Sequence, residues 1–270
     1  MAAQDPEWFT AQQNFTMYEP GIEEEIPEVF KTYHHIPVLL VAYLAVVKHY
    51  GPRLMKDRKP FSLKNVRMIY NLIQIVINWY ICTLCFSLVG NGISDPWGNG
   101  CYPVTSVTRD PNAYKMIVKI SYYYYLNKIL DFIETVFFVL RKKQSQVSFL
   151  HIYHHVIMVL SIWLSIFIIR EENIVQIAAI NTLVHVVMYV YYFLSGLGPA
   201  IQKYLWWKRY ITRMQLVQFL MGMTTLVKMT VTGCRNDTRF LYLWYFNSLT
   251  LFGLFVHFYI KTYLPKKKKE

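Results

Sequence analysis

Three histidines stand near the start of the apolar stretch FLHIYHHVIMVLSIWLSIFII, residues 149–169. His151, His154 and His155 are spaced i, i+3 and i+4, so a helix gathers them on one face. An imidazole with an unperturbed pKa near 6.5 keeps an unprotonated nitrogen at neutral pH and can act as a nucleophile. Histidines at a membrane interface also serve as plain hydrogen-bonding groups, and depth separates the two readings. Counted from Lys143 at about 1.5 Å per residue, His154 lies about 16 Å along its helix, near mid-bilayer. The same measure puts Asp131 about 15 Å and Glu134 about 10 Å from Arg141, His185 about 16 Å from Gly196, and Gln218 about 14 Å from Arg209. Four segments therefore carry polar groups at one level, which points to a common site; hydrogen bonds that hold helices together would give part of the same pattern.

The segment KILDFIET places Lys128, Asp131 and Thr135 on one polar face, with Glu134 beside it. An ion at the bilayer centre costs about 3 kcal/mol even on a lenient insertion scale, so this face is expected to turn toward a cavity or paired partners. A purely structural ion pair is the plain alternative. In NTLVHVVMYVYY, the residues Asn181, His185, Met188, Tyr189 and Tyr192 form a stripe, with Tyr191 to its side. Lys208, Thr212 and Gln215 lead along another face toward Gln218, while Arg141, Lys143 and Gln146 begin a neighbouring connection. Basic loop residues are commonly topology signals; together these also offer an entrance for an anion.

The elements that must hold these residues follow from composition. The chain has 270 residues, 54% hydrophobic and only 16% charged, against about 25% charged in soluble domains, and its mean hydropathy is +0.24. Apolar windows long enough to cross a bilayer recur along nearly the whole length, so an all-α membrane protein of about seven spans is expected: 37–55, 64–89, 113–140, 147–169, 174–197, 205–231 and 240–264. That leaves a luminal segment 1–36, a polytopic domain 37–264 and a cytosolic tail 265–270. The net charge of +12 resembles a nucleic-acid footprint until it is mapped. The cations cluster at alternate connections and the tail, whereas the N-terminal segment is acidic before Lys31. The positive-inside rule then gives a luminal N-terminus and a cytosolic C-terminus and makes nucleic acid an improbable partner. The acidic start lacks the basic region of a cleavable signal peptide.

Two sequons fall on the expected luminal side, and Asn14 is the better glycosylation candidate. Of the 4 cysteines, Cys82 and Cys85 fit a packed helix interior; Cys101 and Cys234 lie in luminal connections, where an oxidising compartment permits a disulfide, with two free thiols as the alternative. The terminal KKKKE places Lys267 and Lys268 as either a membrane-surface anchor or a signal that resembles the dilysine address of the endoplasmic reticulum.

The ordered set KILDFIET, HIYHH, NTLVHVVMYVYY, GLGPAIQKYLWWKRYITRMQLVQF and the dilysine end resembles the elongation of very long chain fatty acids family, the membrane-embedded 3-ketoacyl-CoA synthases. The likeness runs from about the third span through the tail. It implies seven helices, six of them as two three-helix units around an acyl tunnel. It also implies condensation of long-chain acyl-CoA with malonyl-CoA, releasing CO2 and CoA, with no bound cofactor or metal. Under that resemblance His154 becomes acylated, His185 and Asn181 donate hydrogen bonds to the enolate, and His151, His155, Lys128, Asp131 and Glu134 orient the imidazoles. Arg141, Lys143, Gln146, Tyr191, Lys208, Thr212, Gln215 and Gln218, together with Lys128, become candidate substrate-binding residues. Membrane lipid, a second copy of the chain and other elongation-cycle enzymes are its expected partners. One departure is visible: the family pattern is KxxExxDT, and here Asp131 and Glu134 exchange the two acids. The segment GLGPAIQKYLWWKRY is most similar to the branch handling saturated and monounsaturated long chains.

Two rival classes share features with the sequence. A di-iron desaturase uses membrane histidine boxes, but 8 histidines with one cluster cannot build its usual shell. A seven-span receptor shares the expected topology, and the mid-membrane HIYHH argues against it.

Overall fold

The computed structural model describes residues 35–90, 111–169, 173–232 and 237–264; Asn14, Cys101, Cys234, Lys267 and Lys268 lie outside them. Among the described residues the chain is helical, without strands. Helix α1 covers 35–55 and contains a π-helical turn at Val46–Tyr50 between His35–Ala45 and Gly51–Met55. Helix α2 is Lys64–Gly90. Helix α3 covers 111–140 as Pro111–Leu130 and Phe132–Leu140, interrupted at Asp131. Helix α4 covers 149–169 as Phe149–Trp163 with a π-helical end at Leu164–Ile169. Helices α5, α6 and α7 are Ile174–Gly196, Lys208–Val231 and Thr238–Tyr263. The expected limits move by a few residues where local chemistry sets them. Helix α4 starts at Phe149 rather than 147 because Ser148 caps it, its hydroxyl accepting the His151 N–H at 3.2 Å. Helix α5 stops at Gly196 because Gly198, at φ 122°, takes a turn that only glycine adopts without strain.

Helices α2, α4, α5 and α7 are long and apolar enough to cross a membrane. Apolar side chains are also exposed on other helices, with Val38 and Val41 on α1 and Val217 and Leu220 on α6. An exterior rich in large apolar side chains suits a surface that meets lipid. The interior is arranged around α3, which packs against α1, α2, α4 and α5. Further contacts run from α2 to α5, α5 to α6, α6 to α7 and α7 to α4, a series that α3 closes by meeting both α2 and α4. Central placement explains why α3 can carry Lys128, Asp131 and Thr135, all buried.

The approach of α1 to α3 is close enough to require a glycine. A Cβ on Gly51 would stand 2.6 Å from the Val46 carbonyl oxygen and 2.7 Å from Val139 Cγ1. The same corner ties the α1–α2 connection to the end of α3, where the Phe61 N–H donates to the Leu140 carbonyl at 3.1 Å and Lys142 Nζ to the Lys56 carbonyl at 2.9 Å.

Candidate functional site

Lys128 and Asp131 form an ion pair at 3.2 Å, with side chains 2% and 1% exposed. A buried pair survives only if its remaining hydrogen-bonding capacity is met. The second oxygen of Asp131, Oδ1, accepts from Gln74 Nε2 and from the Tyr189 hydroxyl, each at 2.9 Å. Lys128 Nζ also lies 3.3 Å from His185 Nδ1 and 5.2 Å from the centre of the Tyr124 ring. Paired to a carboxylate, Lys128 is an ammonium and has only donors. His185 Nδ1 must therefore accept, which puts the imidazole proton on Nε2 and leaves that N–H as a donor.

The histidine triplet divides between two directions. His151 Nε2 lies 2.9 Å from Thr135 Oγ1, and Thr135 in turn meets the Tyr43 hydroxyl at 2.8 Å. The His151 and His155 rings sit 4.3 Å apart, with Phe138 and Phe132 of α3 as neighbours. His154 points elsewhere, its ring 5.4 Å from His155 and 6.2 Å from Phe255 of α7. The division follows from helical geometry, because one residue is about 100° of rotation and His154 cannot share the exact bearing of its i+1 neighbour.

His154 borders a cavity between α4, α5, α6 and α7. Gln218, from the level expected for a common site, and Asn181, one turn from that level on α5, line it as well. Beyond them the walls are mainly Met158, Ile177, Ile180, Phe219, Leu226 and Leu251, interrupted by Trp244, Asn247 and Ser248. Asn181 Oδ1 accepts from the Tyr124 hydroxyl at 3.0 Å, so the Asn181 carboxamide has its NH2 group left to offer a ligand. His185 is not a wall of this cavity. It stands one helical turn from Asn181 on α5, held by Lys128. The expected single chamber is thus a cavity with an adjoining cluster of ions and imidazoles.

The acids separate in the same way. Asp131 belongs to the Lys128–His185 side, whereas Glu134 lies with His151 and His155, their candidate ligand atoms all within 4.8 Å of one another. Two imidazoles and a carboxylate match the donor set of a single-zinc site. They fall short of the many ligands of a di-iron shell.

The expected entrance residues are distributed around one end of the bundle. Lys143, Gln146 and Lys208 are exposed, Arg141 is half-buried and Thr212 is buried. Gln215 Nε2 approaches Met188 Sδ at 3.7 Å, and Tyr191 packs edge-on against Trp207 at 5.1 Å. The described contacts do not join these residues into one cluster.

The sequence reading passed over Tyr70, Gln74 and Asn78. Asn127 Nδ2 donates to Asn78 Oδ1 at 3.0 Å, Asn78 Nδ2 to Gln74 Oε1 at 3.0 Å, and Gln74 Nε2 to both the Tyr70 hydroxyl at 3.1 Å and Asp131. Their i, i+4, i+8 spacing on an otherwise apolar helix was the available signal. Asn247 was also passed over; its Nδ2 donates to Ser161 Oγ at 2.7 Å.

The model of the ELO: GNS1/SUR4 family matches residues 28–270. A very long chain fatty acid elongase of Aedes aegypti is 36% identical over 233 residues, covering 86% of this chain and 64% of its own length. Very long chain fatty acid elongase 7 of Rattus norvegicus is 37% identical over 243 residues, covering 85% of this chain and 82% of its own. Very long chain fatty acid elongase 4 of Homo sapiens is 38% identical over 222 residues, covering 82% of this chain and 68% of its own.

Proposed function

The chain belongs to the ELO (GNS1/SUR4) family, and from that premise we propose that it is a membrane enzyme of fatty acid elongation that joins a long-chain acyl-CoA to malonyl-CoA. The observation that carries this reading is the placement of His154: an imidazole of α4 borders a mostly apolar cavity, with the amides of Asn181 and Gln218 beside it. A nucleophile at the head of an apolar slot suits a thioester whose tail must leave water.

In the first half-reaction a neutral His154 nitrogen attacks the thioester carbonyl. The C–S bond breaks, the imidazole proton passes to the departing thiolate, and CoA leaves as a thiol. In the second, malonyl-CoA loses CO2 and the bonding pair becomes an enolate. The enolate carbon attacks the acyl-imidazole, a C–C bond forms, the C–N bond breaks, and the imidazole recovers a proton from water. Preorganised donors stabilise such developing negative charge, and the Nε2–H of His185 and the NH2 of Asn181 are the groups suited to it. Asp131 and Lys128 act through His185 by fixing its tautomer. Glu134, Thr135 and Tyr43 act on the other side, through His151 and His155.

The wider reading follows from the same premise. Seven helices cross the membrane of the endoplasmic reticulum with the N-terminus luminal, and six of them surround the acyl tunnel. The CoA moieties of both substrates enter at the end carrying Arg141, Lys143 and Lys208, with Gln146, Tyr191, Thr212 and Gln215 around it. Full-length protein incubated with acyl-CoA alone tests the intermediate. Mass spectrometry is expected to find an acyl adduct on the peptide containing His154; its absence, together with an active His154→Ala variant, rejects the mechanism.

A further inference from the structure

We propose that the deep half of the cavity takes an acyl chain bearing a hydroxyl group far from its thioester, and that Asn247 and Ser248 bind that hydroxyl; the proposal rests on reading the cavity as the acyl tunnel. Asn247 is 1% exposed and forms part of the cavity wall. Its Nδ2 is committed to Ser161 Oγ across the α4–α7 contact, while Oδ1 has no hydrogen-bond partner among the described residues. A buried acceptor left without a donor bears the full cost of its lost water. A wall built only for hydrocarbon has no use for such a group, and Leu226 and Leu251 show what that wall otherwise contains.

Ser248 is the next residue on the same wall and is also buried. Space is kept in front of it, since a Cβ placed on Gly222 of α6 would come only to 4.0 Å from Ser248 Oγ. The chemistry of the missing partner is narrow. Oδ1 requires a donor, which a ketone or a double bond lacks, and a charged group would find no counter-charge among these walls. A hydroxyl both donates and accepts, so one such group can give its proton to Asn247 and receive that of Ser248.

The position on the chain follows from depth. His154 meets Phe255 at 6.2 Å, and Asn247 stands about 12 Å along α7 from Phe255 at 1.5 Å per residue. An extended chain advances about 1.2 Å per bond, a third of the reach of an extended residue. The hydroxyl therefore belongs about ten bonds from the acylated carbon.

The test uses full-length protein in lipid vesicles and acyl-CoAs of one chain length, either unsubstituted or with the hydroxyl roughly four, ten or fourteen bonds from the carbonyl. The kcat/KM for each is divided by that for the unsubstituted chain on the same preparation. The ratio is expected to peak at the middle position, about tenfold above the other two, the value of one well-made buried hydrogen bond. Asn247→Leu is expected to flatten the peak and Ser248→Ala to lower it several-fold. A hydroxyl that is penalised equally at all three positions overturns the proposal, as it would if a water molecule satisfied Asn247, while elongation of the unsubstituted chain keeps the tunnel reading intact. Failure to elongate any of the four substrates removes both.

Discussion

Asp131→Asn changes one oxygen to an amide and isolates what its charge does. The side chain keeps an acceptor for Gln74 and Tyr189, which now donate to Oδ1 at 2.9 Å. It loses the carboxylate 3.2 Å from Lys128 Nζ. Stranding one member of a buried ion pair costs about 3–5 kcal/mol, so a substantial fall in melting temperature is expected. Lys128 can escape that cost by giving up its proton, and a neutral amine can accept from His185 Nδ1 as well as donate to it. An imidazole N–H is a better donor than an amine, so the His185 proton moves to Nδ1 and the Nε2–H donor is lost. Removing one preorganised donor slows a reaction by about 10²–10³-fold. The loss should fall on condensation, because His154 is not bonded to this cluster and its acylation precedes the enolate. The assay is a pair of measurements on one preparation: formation of the His154 adduct with acyl-CoA alone, and acyl-CoA-dependent CO2 release from malonyl-CoA. Adduct formation is expected within a few-fold of the parent while CO2 release falls at least about 100-fold. Lys128→Met/Asp131→Asn removes both charges and should recover much of the melting temperature without recovering turnover. Restored turnover in the double variant, or equal loss of both half-reactions in the single one, refutes the assignment of the Asp131–Lys128–His185 chain.

Thr135→Val removes the hydroxyl shared by Tyr43 and His151; leaving those groups unmet should cost about 1–3 kcal/mol in thermal unfolding, and Tyr43→Phe combined with it should cost less than the sum. Gly51→Ala drives a methyl into the Val46 carbonyl and Val139, with an expected loss of about 1–3 kcal/mol that Val139→Ala relieves only in part, since the backbone contact remains. At the start of α7 the Asp237 carboxylate accepts from the Arg239 N–H at 2.8 Å and from its guanidinium, and Asp237→Ala should cost about 0.5–2 kcal/mol as a lost cap. Those Arg239 hydrogen bonds hold the Asp237 carboxyl below its ordinary value. Its contribution is therefore complete above an unfolded pKa of about 3.9 and is lost as pH falls through the lower folded value. The melting difference between the parent and Asp237→Asn should accordingly shrink below about pH 4 and stay constant above it.

Helices α2, α4, α5 and α7 were legible because they carry apolar runs of bilayer length, and the meeting of His154 and Gln218 at one cavity follows from the fixed rise per residue. Which way each side chain turns was not legible. The spacing i, i+3, i+4 puts three histidines within one turn, yet only tertiary packing decides that His151 and His155 face Phe138 and Phe132 while His154 faces Phe255. The same limit hid Gln74. The stripe of Tyr70, Gln74 and Asn78 shows that a polar face exists on α2, but its partner on another helix, Asp131 of α3, emerges only from packing.

The exchange of Asp131 and Glu134 relative to KxxExxDT gains a physical meaning from these partners. Position 131 serves Lys128, and an aspartate there reaches one methylene less than a glutamate. The shorter carboxylate is met from the opposite side by Gln74 and Tyr189, so its second oxygen is satisfied by donors that come to it. Position 134 faces the histidines of α4, and a glutamate there reaches one methylene further, to within 4.8 Å of ring nitrogens of His151 and His155. Charge at each place is conserved while reach is redistributed, and that works only if the neighbours change with it. Gln74 is one of the two donors that meet the shorter acid. With Asp131 in place, Gln74→Leu should leave Oδ1 one donor short and reduce turnover. Asp131→Glu added to Gln74→Leu should restore part of it, because the longer acid meets Lys128 without that support; no rescue in the double variant would show that Gln74 serves packing alone.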